Sequence, residues 1–349
     1  MPLIRPYTVN VRCDPAALAA AINDSFNGEM LSLKPGCIYH LTAPLPTLET
    51  SITIAGNSAT IDASPAPGSP GFTMLDVDFG AQLAISRLNF RNAAAGQAAF
   101  GGAIEDDGTL TVTGGTFSGD TTTTGFGGAI NNTGTLTVTG AVFVNDQSTD
   151  GGAIENQGTA TITGSVFVGN QASFNGGAIH NEGVLNLSDC WFSGNSAAVG
   201  GGGLFNGDQG DLTANSATFH HNQATDGGGL DNENSASLTR IVFAGNSASD
   251  TGGGILNNWV LSATDSTIVS NSAGNGGGIY NGDLFGPPGV VTLTSSPVEG
   301  NHPDNCEPLN TIPSCSDPGV IARPHPAGLT LAHGGQQALA RDFYPHPGN

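Results

Sequence analysis

His180, Phe205 and Asp231 each stand one residue after the isoleucine or leucine of a recurring Gly-Gly motif, and Glu182 and Glu233 stand two residues further on. Positions at a fixed offset from a repeat motif become neighbours when repeats stack, so these side chains would be gathered into one patch from successive turns of the chain. Glu155 and Tyr280 share the offset of His180, and Asp208 follows Phe205 closely. His180, Glu182, Asp231 and Glu233 are the types that donate and accept protons in catalysis, while Phe205, with Glu155, Asp208 and Tyr280, would supply ligand contacts. Gly207, lying between Glu182 and Glu233, would leave two carboxylates about 10 Å apart across two coils. That is close to the upper end of the roughly 6.5–9.5 Å used by inverting glycoside hydrolases. The same residues also suit solvated turns, which is the simpler expectation.

The motif that sets this ruler reads Gly-Gly-Ala/Gly-Ile/Leu and recurs every 24 to 26 residues, at Gly101–Ile104, Gly127–Ile130, Gly151–Ile154 and Gly176–Ile179 and then as Gly202-Gly203-Leu204, Gly228-Gly229-Leu230, Gly253-Gly254-Ile255 and Gly277-Gly278-Ile279. A second landmark is an apolar residue three before a polar one, as in Phe117/Asp120, Phe167/Asn170, Phe192/Asn195, Phe219/Asn222, Phe243/Asn246, Ile268/Asn271 and Val298/Asn301. Between them lie alternating segments such as Leu110-Thr-Val-Thr113 and Leu136-Thr-Val-Thr139, whose period of two is a strand signature. No repeat holds ten residues at helical periodicity, so a helical solenoid is excluded. Stacked parallel strands remain, and the spacing predicts an all-β, single right-handed parallel β-helix of about ten to twelve coils.

Two residues after each Ile or Leu come Asp106, Asn132, Asn156, Asn181, Asn206, Asn232, Asn257 and Asn281, which predicts an asparagine ladder that satisfies turn backbone. The double glycine suits left-handed turns and close approach of coils. At the N-terminus, Asp14-Pro15 before an Ala/Leu/Ile run predicts a short capping helix. The expected organisation is an N-terminal cap over 1–40, the parallel β-helix over 41–301, a C-terminal cap loop over 302–316, and a partly disordered tail over 317–349.

Composition narrows the function classes. Twenty-nine acidic against eight basic residues give a formal charge of -21, and Arg240 is the one Lys or Arg between Gly101 and Gly300. Nucleic acid is therefore excluded as a partner, and polyanionic sugars are disfavoured. No apolar run is long enough for a membrane helix. Cys13 and Cys37 bracket the N-terminal segment and Cys306 and Cys315 lie close together, which suits two terminal disulfides and an oxidising, extracellular or cell-surface location, with the signal peptide not in the chain as given. Five reduced thiols in a cytosolic protein are the alternative, and no C-x-x-C pair points to zinc. No cofactor is expected, Ca²⁺ being the one ion the acidic turns could take.

The Gly-Gly-Ala-(Ile/Leu/Val) and Phe-x-x-Asn repeat over roughly residues 90 to 301 resembles that of the chlamydial polymorphic outer-membrane proteins and of related exported bacterial β-helices. The resemblance implies a surface protein, an adhesin or scaffold that binds glycan or protein. The alternative is a carbohydrate-active enzyme, a polysaccharide hydrolase or lyase, although polygalacturonase-like Asn-Thr-Asp, Asp-Asp and Gly-His-Gly motifs are missing and a lyase would want more than Arg240.

Outside the central patch, Trp191 and Trp259 could stack on sugars, and Thr109/Thr111/Thr113, Thr135/Thr137/Thr139 and Thr159/Thr161/Thr163 form hydroxyl rows interrupted at Asn186 and Ser188. His220 and His221, adjacent in extended chain, should point to opposite faces.

Overall fold

The computed structural model describes residues 7–63, 71–96, 100–282, 288–308 and 311–315; the expected tail over 317–349 lies outside them. The chain is all-β, a parallel β-solenoid of about 11 turns. Each central turn contributes strands such as Ile154–Asn156, Thr159–Thr163, Val166–Val168 and Gln171–Ala172. Each pairs in parallel with its counterpart one repeat away: Ile154 faces Ile130 and Ile179, and Ala160 faces Leu136 and Leu185. In-register pairing reaches back to Thr8–Val11 and forward to Cys306–Glu307.

Alternation decides which side chains face in. Leu136 and Val138 are fully buried while Thr135 and Thr139 face out. On the next strands Phe90, Phe117, Phe143, Phe167, Phe192, Phe219 and Phe243 form one internal stack, with centroids 4.5–5.0 Å apart and planes within 12°. That separation is the strand spacing itself, about 4.8 Å, so the backbone ladder sets the ring stacking. Phe143 and Asp146 thus complete the row of the second landmark.

Two side-chain ladders run with the backbone. In the first, Nδ2 of Asn132 donates to Oδ1 of Asn156 and the pattern repeats through Asn181, Asn206, Asn232, Asn257 and Asn281, at 2.6–2.9 Å. In the second, Asn170, Asn195, Asn222, Asn246, Asn271 and Asn301 are linked in the same way. Both are buried, apart from the half-buried Asn301 at the end of the second, so their hydrogen bonds answer the desolvation cost of polar groups at the turns.

The two glycines of the motif have separate causes. Gly151 has φ +62° and a Cβ on it would lie 2.2 Å from the Ile154 carbonyl oxygen of its own turn, whereas a Cβ on Gly152 would lie 2.1 Å from the carbonyl oxygen of Gly177 in the next coil. Gly151→Ala should therefore cost about 3 kcal/mol, left-handed strain added to the clash within its own turn, and Gly152→Ala about 2 kcal/mol, since backbone of the next coil must move. Urea denaturation of the two variants checks the order.

Helix α1 spans Pro15–Asn23; the Asp14 carboxylate accepts from Ala16 N at 3.1 Å, and Leu18 and Ile22 are buried in the same core as the strands. Disulfides join Cys13 to Cys37 and Cys306 to Cys315, and Cys190 is a buried free thiol.

Candidate functional site

The row one residue past the motif is real. Glu155 faces His180, His180 faces Phe205, Phe205 faces Asp231 and Asp231 faces Leu256 in consecutive parallel pairs. What the offset does not reveal is burial. Glu155, His180, Phe205 and Asp231 are all at or below 4% exposure, so the expectation of solvated turn residues does not hold for them. The chain just before each Gly-Gly pair lies over the row: a Cβ on Gly200 would be 2.4 Å from Oδ2 of Asp231 and 2.9 Å from the Phe205 ring.

Within the row, His180 Nδ1 lies 2.7 Å from Oε2 and 2.9 Å from Oε1 of Glu155, and its Nε2 lies 3.5 Å from Oε1 of Glu182. Burial opposes the imidazolium, but the charge and hydrogen bond of Glu155, with the charges of Asp150 and Glu182, carry the His180 pKa up to about 10. The Phe205 ring packs on the imidazole at 5.1 Å. Glu182 is one-quarter exposed, and its carboxyl is raised above the usual range by burial, with Glu155 and Asp208 adding to the effect and His180 opposing it.

The gap expected over Gly207 is filled. A Cβ there would lie 2.0 Å from Oε1 of Glu182, whose other oxygen accepts from Gln209 N at 3.3 Å. Gly207 therefore receives the Glu182 carboxylate from the preceding coil. Asp208 is exposed on this turn. Asp231 is raised well above the carboxylate range by burial, then by Glu233 and Asp226, and its Oδ1 has no hydrogen-bond partner among the described residues. Glu233 is buried. Tyr280, half-buried, is separated from Asp231 by Leu256 and does not join the cluster.

Chemically, the cluster is an ion triad of Glu155, His180 and Glu182 beside an aromatic ring and a carboxyl group that burial pushes toward its neutral form. A histidine that holds its proton to about pH 10 is a poor general base at neutral pH. Among the described residues, no group of three or more His, Cys, Asp or Glu side chains is arranged to hold a metal ion.

Two further features stand on the outer surface. Trp191 is 43% exposed and its ring lies 5.8 Å from that of His220. His221 has φ +54°, so the alternation expected of adjacent extended residues fails, and the His220 and His221 rings meet edge to face at 3.9 Å. Around them the outward positions of the Phe-bearing strands are mixed: Val166 and Thr218 flank Trp191, Ser193 and Ala244 flank His220, and Val142, Val144, Val168 and Val242 lie further along the rows. The second feature, Phe79, is 87% exposed and lies in a degenerate early coil where no motif draws attention to it.

No protein-family model matches the chain, and no curated protein does. Among solved structures it is similar to the crystal structure of bacteriophage CBA120 tailspike protein 3, at 13% identity and a TM-score of 0.35, over 89% of this chain and 61% of that one. The chain thus spans less than two thirds of that tailspike's length, and the likeness is too remote to add to what the pairing register shows. No helix among the described residues is long and apolar enough to cross a membrane.

Proposed function

We propose that the protein is an exported right-handed β-solenoid of a bacterial surface, its first coil closed by α1, which binds a glycan or a protein along one face as an adhesin or scaffold. The observation that carries this is the exposed Trp191 ring beside the half-buried His220 on one facet of the solenoid. A large aromatic left in water beside polar ring nitrogens is costly unless a ligand covers it, and Trp is enriched where binding energy concentrates. Two disulfides suit an oxidising compartment, and the repeat resembles that of polymorphic outer-membrane proteins.

Catalysis is the second reading, favoured by one observation: Glu182 is a partly exposed carboxyl group with a raised pKa, as a general acid requires. Its weakness is the missing base. Glycan-array binding, run with reducing-sugar and unsaturated-uronate assays, tests both. The expected result is binding without turnover, weakened at least tenfold by Trp191→Ala. Turnover abolished by Glu182→Gln would overturn the proposal in favour of the enzyme.

A further inference from the structure

Phe79 sits at the second position of a tight turn, Asp78 to Ala81, closed by Ala81 N to Asp78 O at 2.9 Å. Gly80 takes φ +86° at the third position, which a side chain would strain. Asp78 Oδ1 also accepts from Phe79 N at 2.8 Å. The turn is rigid, and it holds an apolar ring out in water.

Beneath that ring runs a cleft of about 540 Å³, lined by Phe79, Asp107, Thr109, Thr133 and Thr135 over a glycine floor. Coil stacking makes the floor. A Cβ on Gly108 would lie 2.5 Å from Ala81 O, and one on Gly134 would lie 2.2 Å from Gly108 O. The same contact recurs at Gly158 and Gly183, each 2.1 Å from the preceding glycine's carbonyl. Close backbone packing therefore leaves a trough between two columns of side chains, Asp107 and Thr133 on one side and Thr109 and Thr135 on the other. The glycine column itself continues over three coil steps, about 14 Å, to Gly183, its flanks passing through Gln157 and Thr159 to Glu182 and Val184.

We infer that this trough binds a neutral oligosaccharide of a few pyranose units, with the ring at its Phe79 end stacked on the phenyl face and its hydroxyls bonded to Asp107 and Thr133. This rests on the glycan branch of the function proposed above and assigns it a second site, away from Trp191. The chemistry selects the ligand. A pyranose offers an apolar C–H face and a rim of hydroxyls that both donate and accept, matching one aromatic ring, one carboxylate and a line of threonine hydroxyls. An anionic ligand would meet Asp107 with no Lys, Arg or His among the described lining residues. A peptide adding as a strand needs an unpaired sheet edge, and the strands at this trough are already paired on both sides: Thr135 lies between Thr109 and Thr159.

The test is a titration of the intact protein with neutral hexasaccharides (β-1,4-glucan, β-1,3-glucan, α-1,4-glucan, β-1,4-mannan and β-1,4-xylan), with hexagalacturonate as the anionic comparison. Phe79→Ala should weaken the best neutral hexasaccharide at least tenfold with no change in thermal midpoint, since the ring makes no core contact, and Phe79→Trp should restore it. Neutral-glycan binding that survives Phe79→Ala but is lost in Trp191→Ala would overturn the trough while leaving the surface-binding function intact. Preference for hexagalacturonate would overturn the ligand class, and absence of any glycan binding would remove the trough and the glycan branch together.

Discussion

Replacing Asp146 with asparagine is expected to stabilise the protein by about 3 kcal/mol at pH 8 and hardly at all at pH 3, as read from urea denaturation across pH. The ladder explains the sign. Asn170 donates from Nδ2 to Oδ1 of Asn195 and to the Phe143 carbonyl, and Asn195, Asn222, Asn246 and Asn271 repeat the pattern. Asp146 stands on the same row with an oxygen where its neighbours have an amide. Its Oδ1 accepts from Asp120 N, while its Oδ2 has no partner among the described residues. A neutral carboxyl group can donate there; a carboxylate cannot.

Burial pushes the Asp146 carboxyl well above the usual range, and the charge of Asp120 adds to this. Burial likewise pushes Asp120 up to about 8. Because the folded pKa is raised, this contribution to stability is fully present below about pH 4 and is lost as pH rises through the folded pKa, at about 1.4 kcal/mol per pH unit for each group. The wild type should therefore weaken from pH 4 to pH 8, and Asp146→Asn should weaken less steeply. Asp106, raised to about 7 by burial and by Asp107, poses the same problem on the first ladder, where its Oδ2 and the Asn132 Oδ1 both lack a partner among the described residues. A wild-type stability that stays flat over this range would mean that the carboxyl groups ionise without cost.

The solenoid was legible because its causes are local and repeated. A glycine forced by backbone contact, an asparagine that must bridge two coils and a phenylalanine that must stack at the strand spacing leave the same letter at the same offset each time. The row carrying His180 was legible by the same offset, but its burial was not. Which flank of a turn is covered depends on the chain ahead of the next motif, where Asp150, Asn175 and Gly200 differ in size, and no periodic pattern reports it. The role of Gly207 was misread for a related reason: an absent side chain signals space, but the neighbour that fills it comes from another coil. Phe79 carries no periodic signal because it lies outside the repeats, and the contact of His220 with His221 is not legible because alternation fails where the backbone at His221 is left-handed.

His180→Ala should destabilise the fold by about 3–5 kcal/mol at pH 7, because it strands the fully buried Glu155 carboxylate without its cation. Glu155→Gln should destabilise too, but the double variant should recover about 2 kcal/mol of the summed loss, since neither charge is then left alone. The pH dependence separates this ion pair from a packing effect. The histidine pKa is near 6.5 in the unfolded chain and about 10 in the folded one, so its contribution is full below pH 6.5 and drains away as pH rises toward 10. The gap between wild type and His180→Ala should close over the same interval, which loss of the contact with Phe205 alone would not produce. This bears directly on function. An imidazolium fixed between Glu155 and Glu182 spends its charge on the fold, and a hydrolase built on this row would have to find its base elsewhere. A His180→Ala variant as stable as the wild type would therefore free the row for chemistry, and would shift the balance from a binding surface to an enzyme.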